Sequence, residues 1–150
     1  MVAKISDRQK MLLCLIGAGG TIEQKNEPIF GSVKLMKQAF LIKNELGNNK
    51  FPYNFVPYDY GPCSFEVYED LSFFIREGLV NENKKNNFST YSVASSYEEL
   101  VKKMINNLEP EVREVILKIK KQFNKLSYYA LIYYVYQKYP QFTKASRFRL

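Results

Sequence analysis

Glu66 and Asp70 stand four residues apart in a segment patterned as a helix, so their carboxylates share one face. Two carboxylates on one face are the minimum for acid–base chemistry, but no nucleophile, metal partner or apolar pocket accompanies them in the sequence. The chain contains no histidine. That removes the Ser-His-Asp and Cys-His arrangements and any two-Cys-two-His zinc site. Gly17-Ala18-Gly19-Gly20 lacks the Walker spacing and a following Lys-Ser or Lys-Thr, so it reads as the end of a helix rather than a phosphate cradle. Cys14 lies in an apolar stretch and reads as a small buried residue. These residues predict a non-enzyme with no cofactor and no metal.

The residue types that remain suit binding. Tyr58 and Tyr60 flank a rigid turn, where tyrosine can anchor a partner at small entropic cost; the competing reading has them fill the core. Glu66 and Asp70 then belong to an acidic face open to a basic partner, or to a merely solvated one. Six tyrosines, Tyr128, Tyr129, Tyr133, Tyr134, Tyr136 and Tyr139, crowd the last helical segment and cannot all face one core. Helical spacing puts Leu131, Val135 and Tyr139 on one stripe with Tyr128. Tyr129, Tyr133 and Tyr136 fall on another, left for a partner or a second copy of the chain. Lys84 and Lys85 at a hairpin tip, and Lys120 and Lys121 among Lys118 and Lys125, are the candidates for nucleic-acid phosphates.

The elements that position these groups follow from periodicity and punctuation. Lys10 to Gly17 is almost continuously apolar and reads as a buried helix with Asp7 as its cap. Residues 20–31 read as a loop. Ser32 caps a second helix that faces Val33, Leu35, Met36 and Phe40 inward and stops at Leu46-Gly47. Asn48 to Pro57 reads as an edge strand or extended linker. Ser64 caps a third helix, which runs to about Glu77 on the stripe Val67, Tyr68, Leu71, Phe74 and Ile75 and closes at Gly78. Leu79-Val80 and Phe88 to Val93 are strands around a long tip, with Tyr91 and Val93 on one face. Ser96-Tyr97-Glu98-Glu99 has the form of a capping box for a fourth helix. Pro110 opens a fifth, and Ser127 caps a sixth that Pro140 ends. The spacing predicts a mainly α chain with a small β component, as a single domain. A winged-helix-like core over 1–95 is followed by a helical part over 96–140 and a basic tail over 141–150.

Charge sharpens the functional reading. The net charge is +7, of which residues 1–96 supply +1 and residues 97–150 supply +6. The third helix is net acidic, with Glu66, Glu69, Asp70 and Glu77 against Arg76. Phosphate attraction dominates nucleic-acid affinity, so that helix is a poor groove reader. No apolar run reaches the roughly 18 residues needed to span a bilayer, and no signal-peptide pattern is present, so a cytoplasmic, non-membrane protein is expected.

Tyr60-Gly61-Pro62, Ser64, Tyr68, Leu71 and Gly78-Leu79-Val80 resemble the signature of the Panacea, or SocA-like antitoxin, domain family, including its YwgA-like branch. Val33 to Lys37 with Phe40-Leu41 resembles the family's second helix. Leu131-Ile132, Tyr134 to Tyr136 and Tyr139-Pro140 resemble a C-terminal element of the YwgA-like branch. The resemblance implies a small helical domain with a short sheet that binds a protein, in the best-known members a toxin. The alternative function is a winged-helix DNA-binding regulator contacting duplex DNA.

Overall fold

The computed structural model describes residues 4–20 and 26–145. Arg147 and Arg149 of the expected basic tail lie outside them. The chain runs α1 (Asp7–Gly17), β1 (Ile29–Phe30), α2 (Ser32–Leu46), β2 (Val56–Tyr58), β3 (Gly61–Cys63), α3 (Phe65–Arg76), β4 (Val80–Lys85), β5 (Phe88–Val93), α4 (Glu98–Asn107), α5 (Pro110–Phe123) and α6 (Tyr128–Lys138). Single 3-10 turns precede α4 and follow α6. The protein is mainly helical with a small β component, as the periodicity predicts.

α2 is the hub. Every residue from Lys34 to Ile42 is buried, on all sides of the helix. A helix enclosed this way must be surrounded by others, and α1, α5, α6 and β3 pack on it. One continuous cluster fills the interior, from Met11 to Ile16 of α1, through Leu71 and Phe74 of α3, to Ile116 and Ile119 of α5 and Val135 of α6. Gly17 packs tightly beside the sheet: a Cβ there would lie 2.7 Å from Val101 and 2.9 Å from Val93.

β1, β5 and β4 form an antiparallel sheet in that order, and β2 with β3 form a separate hairpin. β1 falls in the region read as loop. Two residues are too few to show a period, and only the pairing of Ile29 with Tyr91 and Phe30 with Thr90 defines the strand. β4 extends to Lys85, so the expected long tip shrinks to Asn86-Asn87, with Asn86 taking a positive φ of 58°.

Three caps differ from expectation. α1 is capped by Ser6, not Asp7; its hydroxyl accepts from Gln9 N, while the Gln9 side chain accepts from Ser6 N. Gly31 rather than Ser32 occupies the start of α2. Ser96 makes no capping box, because Ser95–Tyr97 turn as a 3-10 helix first. Ser64, Gly78 with φ +77°, Pro110 and Ser127 take the places predicted for them.

Candidate interaction surface

Between β2 and β3 the chain turns at Asp59-Tyr60, and three contacts fix that turn. The Lys37 ammonium, rising from α2, donates to the Pro62 carbonyl at 3.0 Å. Ser64 N donates to Met36 Sδ at 3.2 Å, and the Ser64 hydroxyl accepts from Val67 N to open α3. Gly61 has φ +93°, and Tyr136 of α6 covers it closely. β3 is buried while β2 is exposed throughout, so the hairpin is rooted on one strand and presents the other.

That rooting aims aromatic rings at solvent. Tyr58 meets Phe65 edge-on with centroids 5.3 Å apart, Tyr60 meets Tyr128 at 6.4 Å, and Tyr128 meets Tyr129 at 5.3 Å. Tyr68 interacts electrostatically with both Tyr58 and Tyr128. Burial, then its tyrosine neighbours Tyr60, Tyr129, Tyr136 and Tyr68, raise the Tyr128 phenol. Burial likewise raises Tyr68, against a hydrogen bond with Ser32 that lowers it. Among the described residues, nine of the eleven exposed large apolar side chains are aromatic, and none of the nine lies on α4 or α5. Rings exposed together mark an interaction surface more often than rings exposed singly.

The structure thus brings the expected Tyr58, Tyr60 and Tyr129 to one face. Tyr133, 53% exposed, continues it one turn along α6. The same face holds Phe65, Tyr68 and Tyr128, which periodicity assigned to other roles or passed over. Tyr136 was expected on the outward stripe and is buried over Gly61. Tyr128 was expected inside and is exposed. α6 is rotated from the wheel expectation because Ile132, fully buried, joins Leu131 and Val135 in the core.

Asp70 is not part of an open acidic face. It is 3% exposed and accepts from Arg8 Nε at 2.9 Å, Arg8 Nη2 at 3.0 Å, Gln9 Nε2 at 3.1 Å and the Tyr53 hydroxyl at 2.7 Å. The bidentate pair raises the Arg8 guanidinium further, and burial with the Asp70 hydrogen bond raises the Tyr53 phenol. This cluster clamps α3 to α1. Glu66 accepts from Asn54 N at 2.6 Å and lies 3.7 Å from Arg8. The two carboxylates do share a face, but Arg8 serves both, which leaves no acid–base pair. Sequence periodicity could not find Arg8 and Tyr53, which are 62 and 17 residues from Asp70.

Lys120 cannot reach a nucleic-acid phosphate in this fold. It is fully buried, and its ammonium donates to the Leu15 and Ile16 carbonyls at 2.9 Å each, at the end of α1. Burial lowers its pKa to about 7. A second polar seam joins α2 to the end of α5, where Lys34 donates to the Asn124 carbonyl and Gln38 Nε2 to Asn124 Oδ1. Lys121 remains exposed, as do Lys84 and Lys85 at the β4–β5 tip. Lys118 pairs with Glu45 at 2.6 Å.

Cys14 is buried with its thiol pushed up to about 12 by desolvation, so it is a poor nucleophile. Among the described residues no cluster of His, Cys, Asp or Glu could hold a metal ion, and no helix is long and apolar enough to cross a membrane. No family model and no curated protein matches the chain.

Proposed function

We propose that this chain is a protein-interaction module, resembling the SocA-like antitoxins, whose docking surface is the aromatic face around Tyr58, Tyr60, Tyr129 and Tyr133. The observation that carries the reading is the convergence of β2, the β2–β3 turn, the start of α3 and α6 on one set of exposed rings. Tyrosine and phenylalanine bury much area with few rotors, which is the composition of binding hot spots. The module works in the cytoplasm, without catalysis, and its partner is a protein such as a toxin or a second copy of the chain.

The test is co-expression with the product of the adjacent gene in the same transcription unit, followed by size exclusion with light scattering. A stable complex, or a dimer of this chain, supports the reading when Tyr129→Ala and Tyr133→Ala together dissolve it. A chain that stays monomeric and uncomplexed at high concentration contradicts it.

The winged-helix regulator reading draws on the order α1-β1-α2-β2-β3-α3-β4-β5, with β1 pairing beside the β4–β5 hairpin, and on the exposed tip lysines. It is the weaker reading because Lys120 is withdrawn from the surface and α3 is acidic. If duplex DNA is bound, Arg76→Glu should leave affinity unchanged, while reversal of Lys84 and Lys85 should weaken it evenly across sequences.

A further inference from the structure

The sheet carries a second aromatic feature, separate from Tyr129 and Tyr133. Phe30 of β1 pairs with Thr90 of β5, and Phe88 lies two residues from Thr90 on the same strand. Side chains alternate along a strand and directly paired residues share a face, so Phe30 and Phe88 project from one face of the sheet. Lys85 pairs with Phe88 and joins that face; Lys84 pairs with Ser89 and projects from the other. Phe88 is 71% exposed and Phe30 60%, despite the cost of leaving such rings in water. They wall a cleft of about 480 Å3 that Tyr91 and Tyr128 also line, and the lining holds Lys34 but no carboxylate. The Lys34 ammonium lies 5.9 Å from the Phe30 ring centre.

Four rings, one lysine in the lining, another beside Phe88 and no acidic side chain in the lining are the parts that bind single-stranded nucleic acid without reading its sequence. Every base has a face to stack, and the backbone follows positive charge. An apolar peptide would need no cation, and a duplex keeps its bases stacked on each other, out of reach of Phe88. We propose that the cleft between Phe30, Phe88 and Tyr128 binds single-stranded nucleic acid, with a base stacked against the phenylalanine rings and a flanking phosphate held by Lys85. The site goes beyond the protein-docking reading and does not depend on it.

Fluorescence anisotropy of the full chain with labelled oligo-dT and oligo-U provides the test. Both strands should bind, with a shallow log–log salt slope of about −0.7, as expected for one phosphate contact. Phe88→Ala should weaken binding about tenfold or more. Lys85→Glu should flatten the salt slope, and Lys84→Glu should not. Because both phenylalanines are largely in solvent, the variants should keep the far-UV circular dichroism of the parent. A measurement on the unaltered chain is independent of them: 2-aminopurine placed in the strand should be quenched by stacking on binding. The proposal is overturned if no strand binds up to roughly 100 µM, the weak end of non-specific association. Equal competition by duplex DNA or heparin, an unquenched 2-aminopurine, or indifference to Phe30→Ala and Phe88→Ala would overturn it as well.

Discussion

Tyr136 occupies the space that a side chain on Gly61 would need: a Cβ built on Gly61 would sit 2.8 Å from Tyr136 Cε1. This contact joins the β2–β3 turn to α6, the two elements that carry most of the exposed rings. The Lys37 ammonium lies on the same turn, 3.8 Å from that Cβ position through its Cε and hydrogen-bonded to Pro62. The aromatic face is therefore held by the core beneath it rather than by its own rings.

Gly61→Ala should destabilise the protein by roughly 2–4 kcal/mol, from a left-handed backbone that alanine dislikes plus the overlap with Tyr136. Urea titration measures it. A change under about half a kcal/mol, the range of an ordinary surface substitution, would mean the turn yields freely.

Asp70→Ala should leave Arg8 and Tyr53 without their shared acceptor and cost roughly 2–4 kcal/mol, somewhat under the loss for a fully enclosed pair because the Arg8 side chain is 30% exposed. Exchange of α1 amides should accelerate in the same variant, since α1 loses its tie to α3. Normal α1 protection would show that the clamp is not needed.

Lys120 gives a pH dependence with a definite sign. Its folded pKa of about 7 lies below the ordinary lysine value of 10.5, so above pH 7 the unfolded chain binds more protons than the folded one. Stability should therefore rise with pH from about 7, by at most about 1.4 kcal/mol per unit for one group. Lys37, lowered by burial to about 8, adds its own rise above that value. Lys120→Met should remove the rise between pH 7 and 8 and leave above it only the share that Lys37 adds. Denaturant titrations at several pH values would show this, and a parent stability that is flat or falls over that interval would contradict the burial of a lysine there.

Much of the fold was legible because it is written in local signals. Val67, Leu71 and Phe74 of the α3 stripe, its Ser64 cap and the closing Gly78 are all short-range signals, and each is where the spacing predicts, whereas Tyr68 of the same stripe faces solvent. What was hidden depends on partners far along the chain. Asp70 carries the same letter whether it faces water or Arg8. Lys120 sits in a run of lysines whose composition says surface, and only the apposition of α1 to α5 explains its burial. Tyr128 and Tyr136 exchanged places because Ile132 competes for the core, a matter of which neighbour lies over which turn. The site was half legible: tyrosine excess around α6 and beside the turn pointed to an exposed aromatic face. Its extent over Phe65 and Tyr68 came only from three-dimensional contact.

The aromatic face is the central claim, and one comparison tests it most directly. The affinity of the adjacent gene's product for this chain should be measured by calorimetry, beside that of a variant carrying both Tyr129→Ala and Tyr133→Ala. Both side chains are more than half exposed, so the variant should unfold within about half a kcal/mol of the parent. Its affinity should fall by more than about 1 kcal/mol, a factor of at least five. Unchanged affinity in a folded variant would place the docking surface elsewhere on the protein and contradict the account.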